Sequence, residues 1–168
     1  KFSDWLSADA IVVNGEGYKK IQKNDGLMYG LGVTLTPVKA LTFRAYYGLN
    51  EGSDAKQENI QNLATFVGLK LNGFSLGAEY NRIWNMKHVD GSDLSGFSIY
   101  SNIKMNKNAD LYLRFDDYNG DESGFIAGVQ WKLGKYVKVS PNFRWNHAEV
   151  DGGNQDSYMG YISCYFGF

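Results

Sequence analysis

Apolar and polar residues alternate along most of this chain. The segment 137–145 reads VKVSPNFRW, in which every second residue is apolar and each residue between is polar or charged. Successive side chains of a β-strand point to opposite faces, so this pattern predicts a strand with one apolar and one polar face. The same alternation recurs at 27–35, 41–48, 97–104, 111–116 and 125–133.

The alternating segments predict ten strands of about ten residues each. No helical periodicity of comparable length competes with them, and no linker or low-complexity stretch divides the chain. We therefore predict an all-β, antiparallel, up-and-down fold. The predicted strands are 4–13, 26–36, 40–50, 60–71, 74–84, 94–105, 109–118, 124–134, 137–148 and 157–168.

The connections between the predicted strands alternate in length. The short ones are 37–39, 72–73, 106–108 and 135–136, and the longer, polar ones are 14–25, 51–59, 85–93, 119–123 and 149–156. Asn72-Gly73 is typical of a type I′ hairpin turn. Strict alternation places every short turn at one end of the sheet, and an even strand count places both termini there. Transmembrane β-barrels have this layout.

The two faces differ in a way that favours a transmembrane barrel over a soluble, lipocalin-like one. Mean hydropathy is −0.38, and no apolar run reaches the 18 residues of a membrane helix. The apolar face carries aromatic side chains, as interfacial girdles do. The polar face carries mid-strand charges and much of the glycine, which suits a crowded or water-filled interior. These glycines are Gly30, Gly32, Gly48, Gly68, Gly77, Gly96 and Gly128.

The end of the chain resembles the C-terminal signature of Gram-negative outer-membrane proteins, in which a terminal Phe follows apolar or aromatic residues at alternate positions. The matching residues here are Tyr158, Ile162, Phe166 and Phe168. The resemblance implies a location in the bacterial outer membrane. It also implies that these four residues are an assembly signal read by the barrel-assembly machinery.

The whole chain resembles porin-type barrels in its pattern, although classical porins have about 16–18 strands. Residues 1–168 are therefore either a single small β-barrel domain or the C-terminal ten strands of a larger barrel. In the second case another chain or a missing segment supplies the remaining strands, because open sheet edges in lipid leave backbone groups unsatisfied. A homo-oligomer is one way to supply them.

The charges point to a pore. The 17 basic and 18 acidic residues nearly cancel, but most of the acids fall in the longer connections. On the polar face we count seven basic residues and four acidic ones. Asp9 is one of the four acids, and the other three are among the residues listed below. A positive lining favours anions, so we expect passive diffusion of small hydrophilic solutes with a weak anion preference. The predicted pore-lining residues are Arg44, Lys70, Glu79, Lys104, Asp110, Arg114, Asp116, Lys132, Lys138 and Arg144.

An alternative reading of the same charges is a plugged lumen. A narrow barrel is filled by its own side chains, and here the arginines would pair with the acids across it. The protein would then have a structural, adhesive or assembly role. The pairs expected in this case join Arg44, Arg114 and Arg144 to Glu79, Asp110 and Asp116.

Other chemistries have weak signals. One cysteine excludes an internal disulfide and a Cys-based zinc site, and a net charge of −1 offers no global argument for nucleic-acid binding. The acidic connections favour contact with lipopolysaccharide, bridged by divalent cations, although Asp117–Asp121 departs from the EF-hand calcium pattern. No nucleophile motif is present. His147 with Asp116 is the best catalytic candidate at the rim, and we expect no cofactor and no enzyme.

Overall fold

A computed structural model describes residues 3–15, 26–54, 56–150 and 152–167 of the protein. These residues form ten strands, and each one corresponds to a predicted strand. The largest difference is in β10, which begins at Gly153 rather than at residue 157. The strands are β1 (Leu6–Asn14), β2 (Leu27–Val38), β3 (Leu41–Asn50), β4 (Ile60–Leu71), β5 (Phe74–Trp84), β6 (Leu94–Lys104), β7 (Ala109–Tyr118), β8 (Glu122–Lys132), β9 (Val137–Val150) and β10 (Gly153–Phe166).

The strand order in the sheet follows the order in the chain, from β1 to β10. The pairings along it are antiparallel, for example β1 with β2 and β9 with β10. The predicted all-β, antiparallel, up-and-down fold is therefore confirmed. Among the described residues, the only helical element is one 3-10 turn at Met86–His88. No helix in this part of the chain has the length and hydropathy to cross a membrane.

The turns differ from the predicted ones in two respects. Gly73 has a positive φ of 78°, but Asn72 does not, so this hairpin lacks the two positive values that a type I′ turn requires. Two consecutive positive values occur instead at Asn119 (54°) and Gly120 (79°). There the amide of Asp121 donates to the carbonyl oxygen of Tyr118 at 3.0 Å.

Two of the five connections predicted to be long are short. Strand β8 begins at Glu122, and strands β9 and β10 end at Val150 and begin at Gly153. Residues 119–121 separate β7 from β8, and residues 151–152 separate β9 from β10. The predicted strict alternation of short and long connections is therefore wrong at these two places, because polar residues near a hairpin tip extend the strand ladder instead of forming a loop.

The sheet divides into two compact units. Unit 1 comprises Lys1–Val67 with Glu79–Ser95, and unit 2 comprises Gly68–Ala78 with Gly96–Phe168. In unit 1 the register sets Asp9 opposite Gly32, and Gly32 opposite Tyr46. In unit 2 one row of directly opposed residues crosses four strands, running Tyr112, Gly128, Asn142 and Tyr161.

The alternating apolar side chains are exposed in both units. In β2 of unit 1, Leu31 and Val33 are exposed while Gly30 and Gly32 are buried. In unit 2, Phe143 and Ile162 are exposed in the same way. Within the described residues, Ala109 is the only apolar residue that is fully buried, at 2% exposure. A soluble barrel buries its apolar set inside, so this is the arrangement of a sheet whose apolar face meets lipid.

Candidate functional site

The side of the sheet opposite the exposed apolar side chains is called the polar face below. Residues directly opposite one another in an antiparallel pair share a face. The register therefore places Lys104 with Asp110, and Arg114 with Tyr100, on one side of the sheet.

In unit 2 the register extends this face to Asp116, Lys132, Lys138 and Arg144, and Lys70 lines a cavity with Lys104 and Asp110. In unit 1, Arg44 lies opposite Thr34, on the side away from the exposed Leu31 and Val33. The face of Glu79 stays a prediction. That these residues contact solute also stays a prediction.

On the polar face of unit 1, the guanidinium of Arg44 makes three hydrogen bonds to neighbouring side chains. Its Nη1 and Nη2 atoms donate to the two carboxylate oxygens of Asp9 at 2.8 and 2.9 Å, and Nη1 also donates to the hydroxyl of Thr34 at 2.8 Å. To reach Asp9 the side chain passes over Gly32, where a Cβ atom would lie 2.5 Å from Nη2. Arg44 thus makes a bidentate pair with Asp9. Asp9 is not one of the carboxylates named in the plugged-lumen alternative, which were Glu79, Asp110 and Asp116.

Arg114 forms the corresponding pair in unit 2. Its Nε lies 2.9 and 2.8 Å from the two carboxylate oxygens of Asp116, two residues along the same strand. The buried hydroxyl of Ser98 donates to Asp116 and accepts from Arg114 Nη2. The guanidinium also stands 5.8 Å from the ring centre of Tyr100. Arg114 therefore pairs with one of the acids named in the plugged-lumen alternative, but it does so along its own strand.

Arg144 has a different environment. Its Nε donates to Asn142 Oδ1 at 3.0 Å, and its guanidinium lies 4.6 Å from the ring centre of Tyr161. In the described part of the chain no carboxylate lies within salt-bridge distance of it. The carboxylate pairing expected for Arg144 is therefore wrong, because the diagonal neighbour on β10 is a tyrosine and not an acid.

Lys132 and Lys138 oppose each other directly across β8 and β9. Like charges in this position repel, and the two side chains have partners on opposite sides. Lys132 Nζ lies 3.5 Å from Asp110 Oδ2 on β7. Lys138 Nζ lies 5.4 Å from the ring centre of Tyr165 on β10.

The glycines of the polar face provide room for aromatic rings. At Gly128 a Cβ atom would lie 2.5 Å from the ring of Tyr112, and at Gly77 it would lie 2.5 Å from the ring of Tyr100. The hydroxyl of Tyr112 reaches on to Ser140 Oγ at 2.9 Å. The rings therefore lie along the sheet and form much of its polar surface. Glycine enrichment on this face was visible in the sequence, but which ring covers which glycine depends on the strand register.

The rim residues do not form the catalytic arrangement considered from the sequence. His147 Nδ1 lies 2.9 Å from Asp156 Oδ1, and the indole Nε1 of Trp145 donates to the same oxygen at 3.2 Å. These residues are on the apolar face, whereas Asp116 is on the polar face with Arg114. His147 and Asp116 are therefore not brought together. The described residues hold no group of three metal-ligating side chains.

The predicted assembly signal lies on the last strand. Tyr158, Ile162 and Phe166 alternate along β10 and are 65%, 74% and 61% exposed. Their directly opposed residues on β9 are Trp145, Pro141 and Val137, which completes an apolar surface. Phe168 lies outside the described residues. Recognition by an assembly machinery remains a prediction.

Comparison with known proteins supports the fold. No family model matches the sequence, and the search of curated proteins found no match. Among solved structures, a CymD monoaromatic hydrocarbon channel matches with a TM-score of 0.57 and 9% identity over 85% of this chain. OmpT of Vibrio cholerae, an outer-membrane protein, matches with a TM-score of 0.62 and 14% identity over 98% of it.

The chain spans 51% of the length of the CymD channel and 62% of the length of OmpT. At these identities the likeness concerns the fold alone. The chain therefore has the fold of the outer-membrane β-barrel proteins, as the alternation and the C-terminal pattern predict.

Proposed function

We propose that this chain forms channel wall in a bacterial outer membrane, through which small hydrophilic solutes diffuse passively with a weak preference for anions. The proposal covers a small barrel made by this chain and also a larger barrel to which it contributes ten strands. The observation that carries it is the direction of three basic side chains on the polar face. Arg44, Arg114 and Lys132 are held along the sheet by carboxylates on the same or nearby strands.

Three ion pairs support this reading. Arg44 on β3 reaches Asp9 on β1, Arg114 reaches Asp116 on its own strand, and Lys132 on β8 reaches Asp110 on β7. A plugged barrel requires side chains that extend away from the wall to meet partners across the lumen. Side chains held along the wall leave the space in front of it to water and solute. The pattern thus favours a channel over a plugged barrel with a structural, adhesive or assembly role.

The weak anion preference follows from which charges are compensated. Asp9, Asp110 and Asp116 are each ion-paired with a basic residue. In contrast, Lys138 and Arg144 lie over tyrosine rings, and a cation–π contact leaves the positive charge in place. Positive charge next to a low-dielectric wall raises the local concentration of anions. The surplus on the polar face therefore supports anion passage.

The partners in this proposal follow from the two faces. The exposed apolar face, with Trp131 and Tyr158, meets outer-membrane lipid. Lipopolysaccharide, bridged by divalent cations to acidic residues, and the barrel-assembly machinery are further expected partners. Small solutes or ions are the cargo, and no nucleic acid is involved. The proposal is a channel and contains no catalytic step or cofactor.

Conductance in planar lipid bilayers tests the proposal. The full chain, refolded in detergent and checked for β-sheet by circular dichroism, is expected to produce discrete single-channel steps in potassium chloride. Under a salt gradient the reversal potential should indicate modest anion selectivity. Absence of steps from correctly folded protein would contradict the channel and favour the plugged barrel. A cation-selective reversal potential would contradict the anion preference alone.

A further inference from the structure

A cavity in unit 2 lies beside the Asn72-Gly73 turn. Its volume is about 290 Å³, and its lining includes Lys70, Lys104 and Asp110. The rest of the lining is mixed: Asn102, Tyr112 and Gln130 carry hydrogen-bonding groups, and Leu71 and Phe74 are apolar. The cavity opens on the polar face, away from the surface that meets lipid.

The backbone defines one edge of this cavity. The amide of Lys104 donates to the carbonyl oxygen of Gly73 at 2.7 Å, which ties the end of β6 to the turn between β4 and β5. Gly73 has a φ of 78°, a value that side chains rarely tolerate, and it adds no side chain to the space. Lys70 and Lys104 are therefore brought to one cavity by two strand ends that the turn holds in place.

The charge in this cavity is unbalanced. Asp110 lies directly opposite Lys104 in the register, but its carboxylate pairs with Lys132 at 3.5 Å. Among the described residues no carboxylate lies within salt-bridge distance of Lys70 or Lys104. The lining holds two lysines and one carboxylate, a surplus of one positive charge, and that carboxylate is paired with Lys132, which lies outside the lining. Like charges gathered at one site repel, and a bound anion would remove that cost.

We infer that this cavity binds a small oxyanion, a free phosphate or carboxylate solute, at the short-turn end of the polar face. Lysine is a strong point-charge partner for such groups. The amide N–H groups of Asn102 and Gln130 supply further donors. Sites for drug-sized ligands begin at about 300 Å³, so a small anion fits better than a nucleotide or a sugar chain. The inference rests on the proposed function, since it names a solute that this face contacts.

Phosphorus NMR of inorganic phosphate tests the inference without requiring conductance. The full chain is folded in a phosphate-free maltoside detergent at low ionic strength, because salt screens exposed charges. We expect saturable broadening of the phosphate line, reversed by succinate as a competing carboxylate. The double variant Lys70→Gln/Lys104→Gln should bind at least about tenfold more weakly, since it removes two charge-assisted contacts.

A matched control separates a site from diffuse charge. The double variant Lys107→Gln/Lys135→Gln also removes two positive charges near the short turns, but neither residue lines the cavity. It should bind phosphate as the unaltered chain does. A third variant, Asp110→Asn, removes the cavity's one acid and should bind more tightly. Circular dichroism and heat-dependent gel mobility verify that each variant is folded.

The results have distinct meanings. No saturable broadening with the unaltered chain, or equal weakening in both double variants, would overturn the oxyanion site. Weaker binding by Asp110→Asn would do the same. If phosphate binds as expected but bilayers show no channel steps, the proposed channel fails while the anion site stands. If channel steps appear without phosphate binding, the site fails and the channel stands.

Discussion

The polar faces of the two units hold their positive charges in different ways. In unit 1, Arg44 is neutralised by a bidentate carboxylate, Asp9, with Thr34 as a third contact. In unit 2, Arg144 and Lys138 lie over Tyr161 and Tyr165, and other lysines line a cavity with surplus charge.

In an ion pair the carboxylate largely cancels the electric field of the cation at the position of a solute. A cation–π contact with a neutral ring stabilises the cation but leaves its net charge, and therefore its field, in place. Unit 2 also contains ion pairs, one between Arg114 and Asp116 and one between Lys132 and Asp110. The comparison is therefore between Arg44, whose charge a carboxylate cancels in unit 1, and the two cations of unit 2 that lie over tyrosine rings.

The largest expected effect concerns the rings of unit 2. Gly128→Val should lower the free energy of unfolding by about 1–3 kcal/mol, because its Cβ meets the rigid ring of Tyr112 at 2.5 Å. Gly32→Val in unit 1 should cost less, since the atoms near it are the mobile ends of Arg44 and Asp9. Urea unfolding in lipid vesicles measures both changes.

Gly160→Val is the control for that measurement. No atom lies within 4 Å of a Cβ built at Gly160, so this variant should unfold like the unaltered chain. Equal losses for Gly128→Val and Gly160→Val would show that valine disturbs these strands generally. The prediction that Gly128→Val costs more than Gly32→Val because of the neighbouring tyrosine ring would then be wrong.

A smaller effect is expected at the two carboxylates of the arginine pairs. The side chain of Asp116 is 15% exposed and bonded to the buried hydroxyl of Ser98, whereas that of Asp9 is 57% exposed. Asp116→Asn should therefore lower the free energy of unfolding by about 1 kcal/mol, a value reduced by the partial exposure of Arg114. Asp9→Asn should lower it less. A larger loss for Asp9→Asn in the same urea titration would reverse the comparison.

The smallest effect concerns ion selectivity. Lys138→Gln/Arg144→Gln removes two uncompensated charges and should move the reversal potential toward cations. Asp9→Asn/Arg44→Gln removes one charge of each sign and should leave the reversal potential where it is. Bilayer recordings under a potassium chloride gradient distinguish the two double variants. An equal shift in both would mean that a charge in an ion pair affects ion selectivity as much as a charge without a carboxylate partner.

The sequence alone determines much of the fold. Alternation with period two is a local property, and it is enough to predict all ten strands and to assign Lys104 and Arg114 to one face. The lengths of two hairpin tips were mispredicted, because Glu122 and Glu149 are polar and yet continue the strand ladder. Polarity alone does not distinguish an exposed strand end from a loop.

The partners on the polar face were decided by the tertiary structure. Arg44 meets Asp9 across 35 residues, over a glycine that leaves room for the side chain. Lys70 and Lys104 share a cavity because the turn at Gly73 is tied to the end of β6. Alternation tells only which face a side chain occupies, since that depends on its own strand. Which partner it meets depends on the register of neighbouring strands, and that register is set by backbone pairing between distant segments.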